Sequence, residues 1–98
     1  MPGEADAIVS AIVAKWCAAF ERLDAAALSS LYSRNAFFFG SNPKLYSGRD
    51  GVATYFNDLP RWTSQRAEFS EVRAAQVSPD LINMAATASF LIFTRYLG

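Results

Sequence analysis

Three tyrosines, Tyr32, Tyr46 and Tyr55, carry phenols that donate hydrogen bonds from an otherwise apolar body, which is the chemistry of an aromatic-lined pocket. Two carboxylates, Asp24 and Asp50, are the candidates for acid or base work. Each stands at the start of a helix-forming run, Asp24 ahead of Ala-Ala-Ala-Leu and Asp50 in the turn Gly48-Arg49-Asp50-Gly51, so both read as helix caps. Arg49 reads as a turn residue pairing with a nearby carboxylate. Cys17 lies beside an apolar helical stripe with no histidine to activate it, and reads as an inert small apolar side chain. The chain contains no histidine at all, which excludes Ser/His and Cys/His nucleophilic catalysis and the usual zinc sites. No metal site and no cofactor is expected. Without a strong acid/base pair, binding or assembly outweighs catalysis, and the residues leave open whether any reaction is catalysed.

The elements that position these groups follow from composition and period. The chain has 98 residues, 52% of them hydrophobic and 14% aromatic, enough for a single domain over residues 1–98. Nine basic side chains balance nine acidic ones, so the excess of positive charge that a nucleic-acid partner demands is missing. No run approaches the ~20 apolar residues of a membrane span. The apolar stretch 7–14 follows Glu4 and Asp6, where an export signal needs lysine or arginine, and a cytoplasmic protein is expected.

Ile8, Ile12, Trp16 and Phe20 recur every four residues, with Val9, Val13 and Cys17 widening the stripe, and predict an amphipathic helix over 5–22. A second helix, 25–33, buries Leu28, Leu31 and Tyr32. The run Ala36-Phe37-Phe38-Phe39 predicts a short strand bounded by Gly40, Ser41, Asn42 and Pro43. A third helix, 50–58, presents Val52, Tyr55 and Phe56 and stops at Pro60. Strands over 67–77 and 81–96 are joined by a turn at Ser78-Pro79-Asp80. In the last strand, Ile82, Met84, Ala86, Ala88, Phe90 and Ile92 alternate onto one apolar face, expected to be buried against Trp16 and Phe20. The other face mixes Asn83, Thr87, Ser89 and Arg95 with Leu91 and Phe93, which suits a partly wet surface or a subunit contact. Helices followed by strands imply an α+β fold.

This order resembles the nuclear transport factor 2-like superfamily. The resemblance is carried by Trp16, Phe20, Asp24, Leu28, Leu31-Tyr32, Ala36-Phe37-Phe38-Phe39-Gly40, Tyr46, Gly48-Arg49-Asp50-Gly51-Val52 and Tyr55-Phe56. Within the superfamily the sequence is similar to the polyketide cyclase-like (SnoaL-like), ketosteroid isomerase-like and kinase-association-domain-like branch. The resemblance implies a cystatin-like cone, a curved antiparallel sheet wrapped on three helices, here without the usual last two strands. Ketosteroid isomerases of this fold use a tyrosine on the first helix and an aspartate after the first strand. The matching positions here are Trp16 and Gly40, and glycine offers no base, so the enolisation chemistry does not carry over.

Two functions follow from the resemblance. In one, the cone holds a small apolar or aromatic molecule, lined by Trp16, Phe20, Tyr32, Phe37, Phe39, Tyr55, Phe69 and Phe90. In the other, the sheet face makes an assembly module. The cluster Trp16, Phe20, Phe37, Phe39, Phe69 and Phe90 reads by default as core rather than as a cofactor cage, since all six fall on faces assigned as buried. Ala86 and Ala88, opposite such large rings, leave space in the middle of the sheet. Trp62, after Pro60, reads as a pocket lid, an interface anchor or a cover for the core edge. An edge strand almost free of charge and proline predicts a homodimer.

Overall fold

A computed structural model describes residues 3–41 and 43–94. Expectations that fall on Asn42, Arg95 and Tyr96 lie outside the described residues. Helix α1 spans Glu4–Glu21, set by the four-residue apolar stripe. It ends where Leu23 takes a left-handed φ of 48°. There the Asp24 N–H reaches the Ala19 carbonyl at 3.0 Å and the Leu23 N–H reaches that of Phe20 at 2.9 Å. This pairing closes the helix in the way glycine usually does. The strain of a leucine in that conformation, about 1 to 3 kcal/mol, is offset by burial, because Leu23 is itself a core residue. The reversed chain enters α2 (Ala25–Ser30) directly, with Asp24 accepting the Ala27 N–H at 3.0 Å. Asp24 is therefore the cap that its position predicts. The helix stops three residues short of the expected Ser33.

Strands β1 (Phe37–Phe39) and β2 (Leu45–Ser47) form an antiparallel pair with Phe38 opposite Tyr46. No strand is expected at 45–47 from the pattern of residues, because three residues are too few to show a period. Helix α3 (Gly48–Asn57) follows β2 without a loop. Gly48 allows this with a φ of 72°, its N–H bonded to the Ala36 carbonyl at 2.7 Å. The helix thus begins two residues before the expected 50, and Asp50 lies in its first turn instead of capping it. Arg49 is also helical, and its Nε donates to the Tyr32 backbone carbonyl at 2.7 Å rather than to a carboxylate.

Strands β3 (Ser64–Ser78) and β4 (Leu81–Phe93) form a long antiparallel hairpin. The architecture is α+β with antiparallel strands. Among the described residues the strands form two separate two-stranded ladders, fewer than a full sheet of this kind. In β3 the register shifts between Ser70 and Arg73, where Glu71 adopts a φ of 53° and accepts the Thr87 hydroxyl at 3.1 Å. This is a bulge in which two residues of β3 oppose one of β4. It reverses the parity of β3. Ala67 and Phe69 stand opposite Phe90 and Ala88 before it, while Ala74 and Gln76 stand opposite Met84 and Ile82 after it.

The core joins α1, α2, α3 and β3 around Leu28, Val52, Phe56 and Phe20, all at most 3% exposed. The even-numbered face of β4 does turn toward the helices, with the Phe90 ring 5.4 Å from that of Phe20 and 6.3 Å from Trp16. It is not buried, however. Phe90 is 52% exposed, and Met84 and Ile92 are each 41% exposed. All three border an open cleft between the helices and the hairpin, so one side of each stays uncovered.

The triple phenylalanine is also corrected. Phe38 is the inward residue, edge-on to Tyr32 at 5.6 Å and Tyr55 at 4.9 Å. Phe37 and Phe39, expected to be buried, are 75% and 67% exposed. Three identical side chains in a row contain no alternation to fix the register. The pairing of Phe38 with buried Tyr46 fixes it instead. No helix among the described residues is long and apolar enough to cross a membrane.

Candidate functional site

Between α1, α3, the end of β1 and the near half of the hairpin lies a cleft of about 900 Å³. Its centre is Trp16, positioned by the α1 stripe one turn before Phe20. The two rings stack at 5.2 Å with planes 10° apart. Phe56 of α3, Phe69 of β3 and Phe90 of β4 meet the indole edge-on at 6.1, 5.6 and 6.3 Å. Trp62 is half-buried on the core edge and tilts against Phe20 at 6.4 Å, forming part of the wall.

A second aromatic group supplies the polar atoms. The Trp16 indole Nε1 donates to the Tyr32 hydroxyl at 3.0 Å. The Tyr55 hydroxyl accepts the Ser41 backbone N–H at 2.9 Å and shares a further 2.9 Å hydrogen bond with the Ser41 hydroxyl. Gly40 makes this arrangement possible, since a Cβ there would fall 2.2 Å from Cζ of Tyr55. At the two positions that would carry an isomerase's tyrosine and aspartate, this chain therefore has an indole bonded to one tyrosine and an open space filled by another.

The structure brings together seven of the eight residues expected from the sequence: Trp16, Phe20, Tyr32, Phe39, Tyr55, Phe69 and Phe90 line the cleft. Phe37 does not; it faces outward on β1. Tyr46 packs edge-on to Tyr55 at 5.4 Å, behind the cleft, with the Lys44 amine 5.0 Å above its ring. Ile12, Val13, Phe38, Ser41 and Met84 join the lining and were not singled out as site residues from the sequence. For Phe38 and Ser41 the signal was present, as both flank residues already implicated. Cys17 is half-buried next to this wall; burial and the neighbouring Glu21 push its thiol up, which keeps it protonated. A second hollow, of about 1080 Å³, lies between the start of α1 and the β3–β4 turn. No cluster of metal-binding side chains occurs among the described residues.

Burial pushes the Tyr32 phenol above its ordinary value and the nearby Tyr55 adds to this, while the indole hydrogen bond pulls the other way without cancelling the rise. Tyr32 thus stays a neutral donor at physiological pH. A phenol whose folded value is raised gives stability that is fully present below its unfolded value of about 10 and is lost as pH rises through the folded value. Unfolding in urea should therefore show stability falling above about pH 10, with a shallower fall in Tyr32→Phe. An identical alkaline slope in both proteins would contradict the assignment.

Comparison with known proteins agrees with this architecture. The SnoaL-like domain family matches residues 9–94. A crystal structure of a domain of unknown function with a cystatin-like fold, from Nostoc punctiforme, superposes with a TM-score of 0.74 at 16% sequence identity. The match covers 98% of this chain and 60% of that one, so the chain spans less than two thirds of its neighbour's length. Among curated proteins none matches. The neighbour's likeness speaks for the fold alone, whereas the family match runs through every element that lines the cleft, from α1 to β4, and the chain belongs to the SnoaL-like domain family.

Proposed function

We propose that the domain binds a small apolar or aromatic molecule in the cleft between α1, α3 and the hairpin. The observation that carries this reading is a volume of about 900 Å³ walled by aromatic rings from five elements, with few polar atoms. Pockets of that size and character hold small ligands in compact folds. Nothing in the lining supplies an acid/base pair, so the reading stops at binding.

The test uses N-phenyl-1-naphthylamine, an uncharged apolar fluorophore that brightens in apolar surroundings. It should bind the purified domain, and Met84→Trp, which fills the cleft from the exposed hairpin side, should weaken binding by at least about tenfold, or 1.4 kcal/mol. Unchanged affinity in that variant, or no brightening with the parent protein, would remove the support for this site.

A second reading, self-association through the hairpin, is favoured by one feature. On the face away from the cleft, Leu91 and Phe93 are 39% and 59% exposed, and the even-numbered face is also only partly covered. Covering each large side chain contributes roughly 1.5 to 3 kcal/mol, enough for a two-fold dimer to form. Light scattering at micromolar concentration should give about twice 10.8 kDa, and a stable monomer would refute the dimer.

A further inference from the structure

Every described residue lining the cleft is uncharged, and the side-chain N–H and O–H groups there are five: the Trp62 indole beside Phe20, and two hydrogen-bonded pairs, Trp16 with Tyr32 and Ser41 with Tyr55. The protons of the two pairs can be assigned. The indole N–H is committed to the Tyr32 oxygen at 3.0 Å. A hydroxyl that accepts still holds its own proton, so Tyr32 is left as a donor. The Tyr55 oxygen accepts the Ser41 backbone N–H, and a second 2.9 Å bond joins the two hydroxyls. That second bond consumes one of two hydroxyl protons whichever way it runs. If Tyr55 donates, the Ser41 proton is spare; if Ser41 donates, the Tyr55 proton is spare. The pair therefore offers one proton in either arrangement. Both donors stand around one wall, because Phe38 lies edge-on to Tyr32 and to Tyr55.

A cleft with two spare donors around one wall and no charge selects among apolar molecules. A ligand carboxylate would leave water without a cation to meet it, and an ammonium group would find no carboxylate; the loss of hydration costs more than the two hydroxyl donors return. A pure hydrocarbon would leave both donors unmade. We propose that the ligand is an uncharged, largely apolar molecule carrying two hydrogen-bond-accepting oxygens, such as a diketone or diester, one received by Tyr32 and the other by the Ser41/Tyr55 pair. This rests on the cleft being the ligand site, and it adds the chemical class.

Four matched probes separate the two ideas: 1,4-diacetylbenzene, 1,4-diethylbenzene, 4-ethylbenzoate and 4-ethylbenzylammonium, each titrated while following the indole N–H signals of Trp16 and Trp62 by NMR. The diketone should bind about tenfold tighter than the hydrocarbon and than either ion. Tyr32→Phe should reduce diketone affinity about fivefold, and the double variant Ser41→Ala/Tyr55→Phe should do the same. Each single variant of that pair should change it by less than about twofold, because one proton survives. Unaltered hydrocarbon binding across the variants confirms that the cleft is intact. The proposal is overturned if the hydrocarbon or an ion binds parent protein as tightly as the diketone, or if one single variant costs as much as the double. If none of the four probes shifts an indole signal, the cleft reading fails and this class falls with it.

Discussion

Phe56→Ala should destabilise the domain by about 3 to 5 kcal/mol, the range for removing a phenylalanine from a packed core. Phe56 is 2% exposed and links the two aromatic groups, edge-on to Trp16 at 6.1 Å on one side and touching Phe38 and Tyr55 at 5.6 and 5.0 Å on the other. A chain this long has only about 5 to 15 kcal/mol of net stability, so this one truncation consumes a large part of it. Each kcal/mol moves the melting midpoint of a domain of this size by about 4 to 8 °C. The midpoint should therefore fall by at least about 12 °C, with a smaller loss in Phe56→Leu. A fall of less than about 4 °C in the alanine variant would mean that the two aromatic groups do not share this ring.

Gly40→Ala should be the next most damaging change, at about 1 to 3 kcal/mol. The added Cβ would lie 2.2 to 2.5 Å from Cζ, Cε1 and the hydroxyl of Tyr55. Tyr55 is only 8% exposed and has few ways to yield, with Phe38, Tyr46 and Phe56 packed around its ring. Moving it also breaks both hydrogen bonds to Ser41. Urea unfolding of Gly40→Ala, Tyr55→Ala and the double variant should show strong non-additivity, because the methyl group has nothing to strike once the ring is gone. Additive losses would place the damage elsewhere.

Most of the scaffold was legible from the chain. The α1 stripe, the Asp24 cap, the Phe-rich strand and the two long strands each have a periodicity or a cap that local physics enforces. What escaped was decided by contacts distant in sequence. Strand β2 exists because Tyr46 pairs with Phe38, and the orientation of the triple phenylalanine is chosen by that same partner. The start of α3 depends on a left-handed Gly48 that lets the helix begin inside the expected turn. In the cleft, aromatic identity was readable from position, but the polar atoms were not. Ser41 matters only because the missing side chain at Gly40 lets the Tyr55 ring approach, a relation across 14 positions that no pattern along the chain encodes.

The bulge at Glu71 fixes something else about β3. Because the inward positions change from odd to even across it, the segments before and after it are out of phase by one residue. Removing either Glu71 or Val72 would leave the other opposite Ala86 and keep Arg73 opposite Ala85, so the bulge would vanish while every side chain of the distal arm kept its face. A one-residue deletion within the regularly paired stretches has no surplus residue to absorb it and would exchange inner and outer side chains beyond it. Over generations the bulge is therefore a point at which this strand can lose a residue without rewriting a face, so a one-residue alignment gap between Ser70 and Arg73 would mark ordinary divergence rather than a change of architecture.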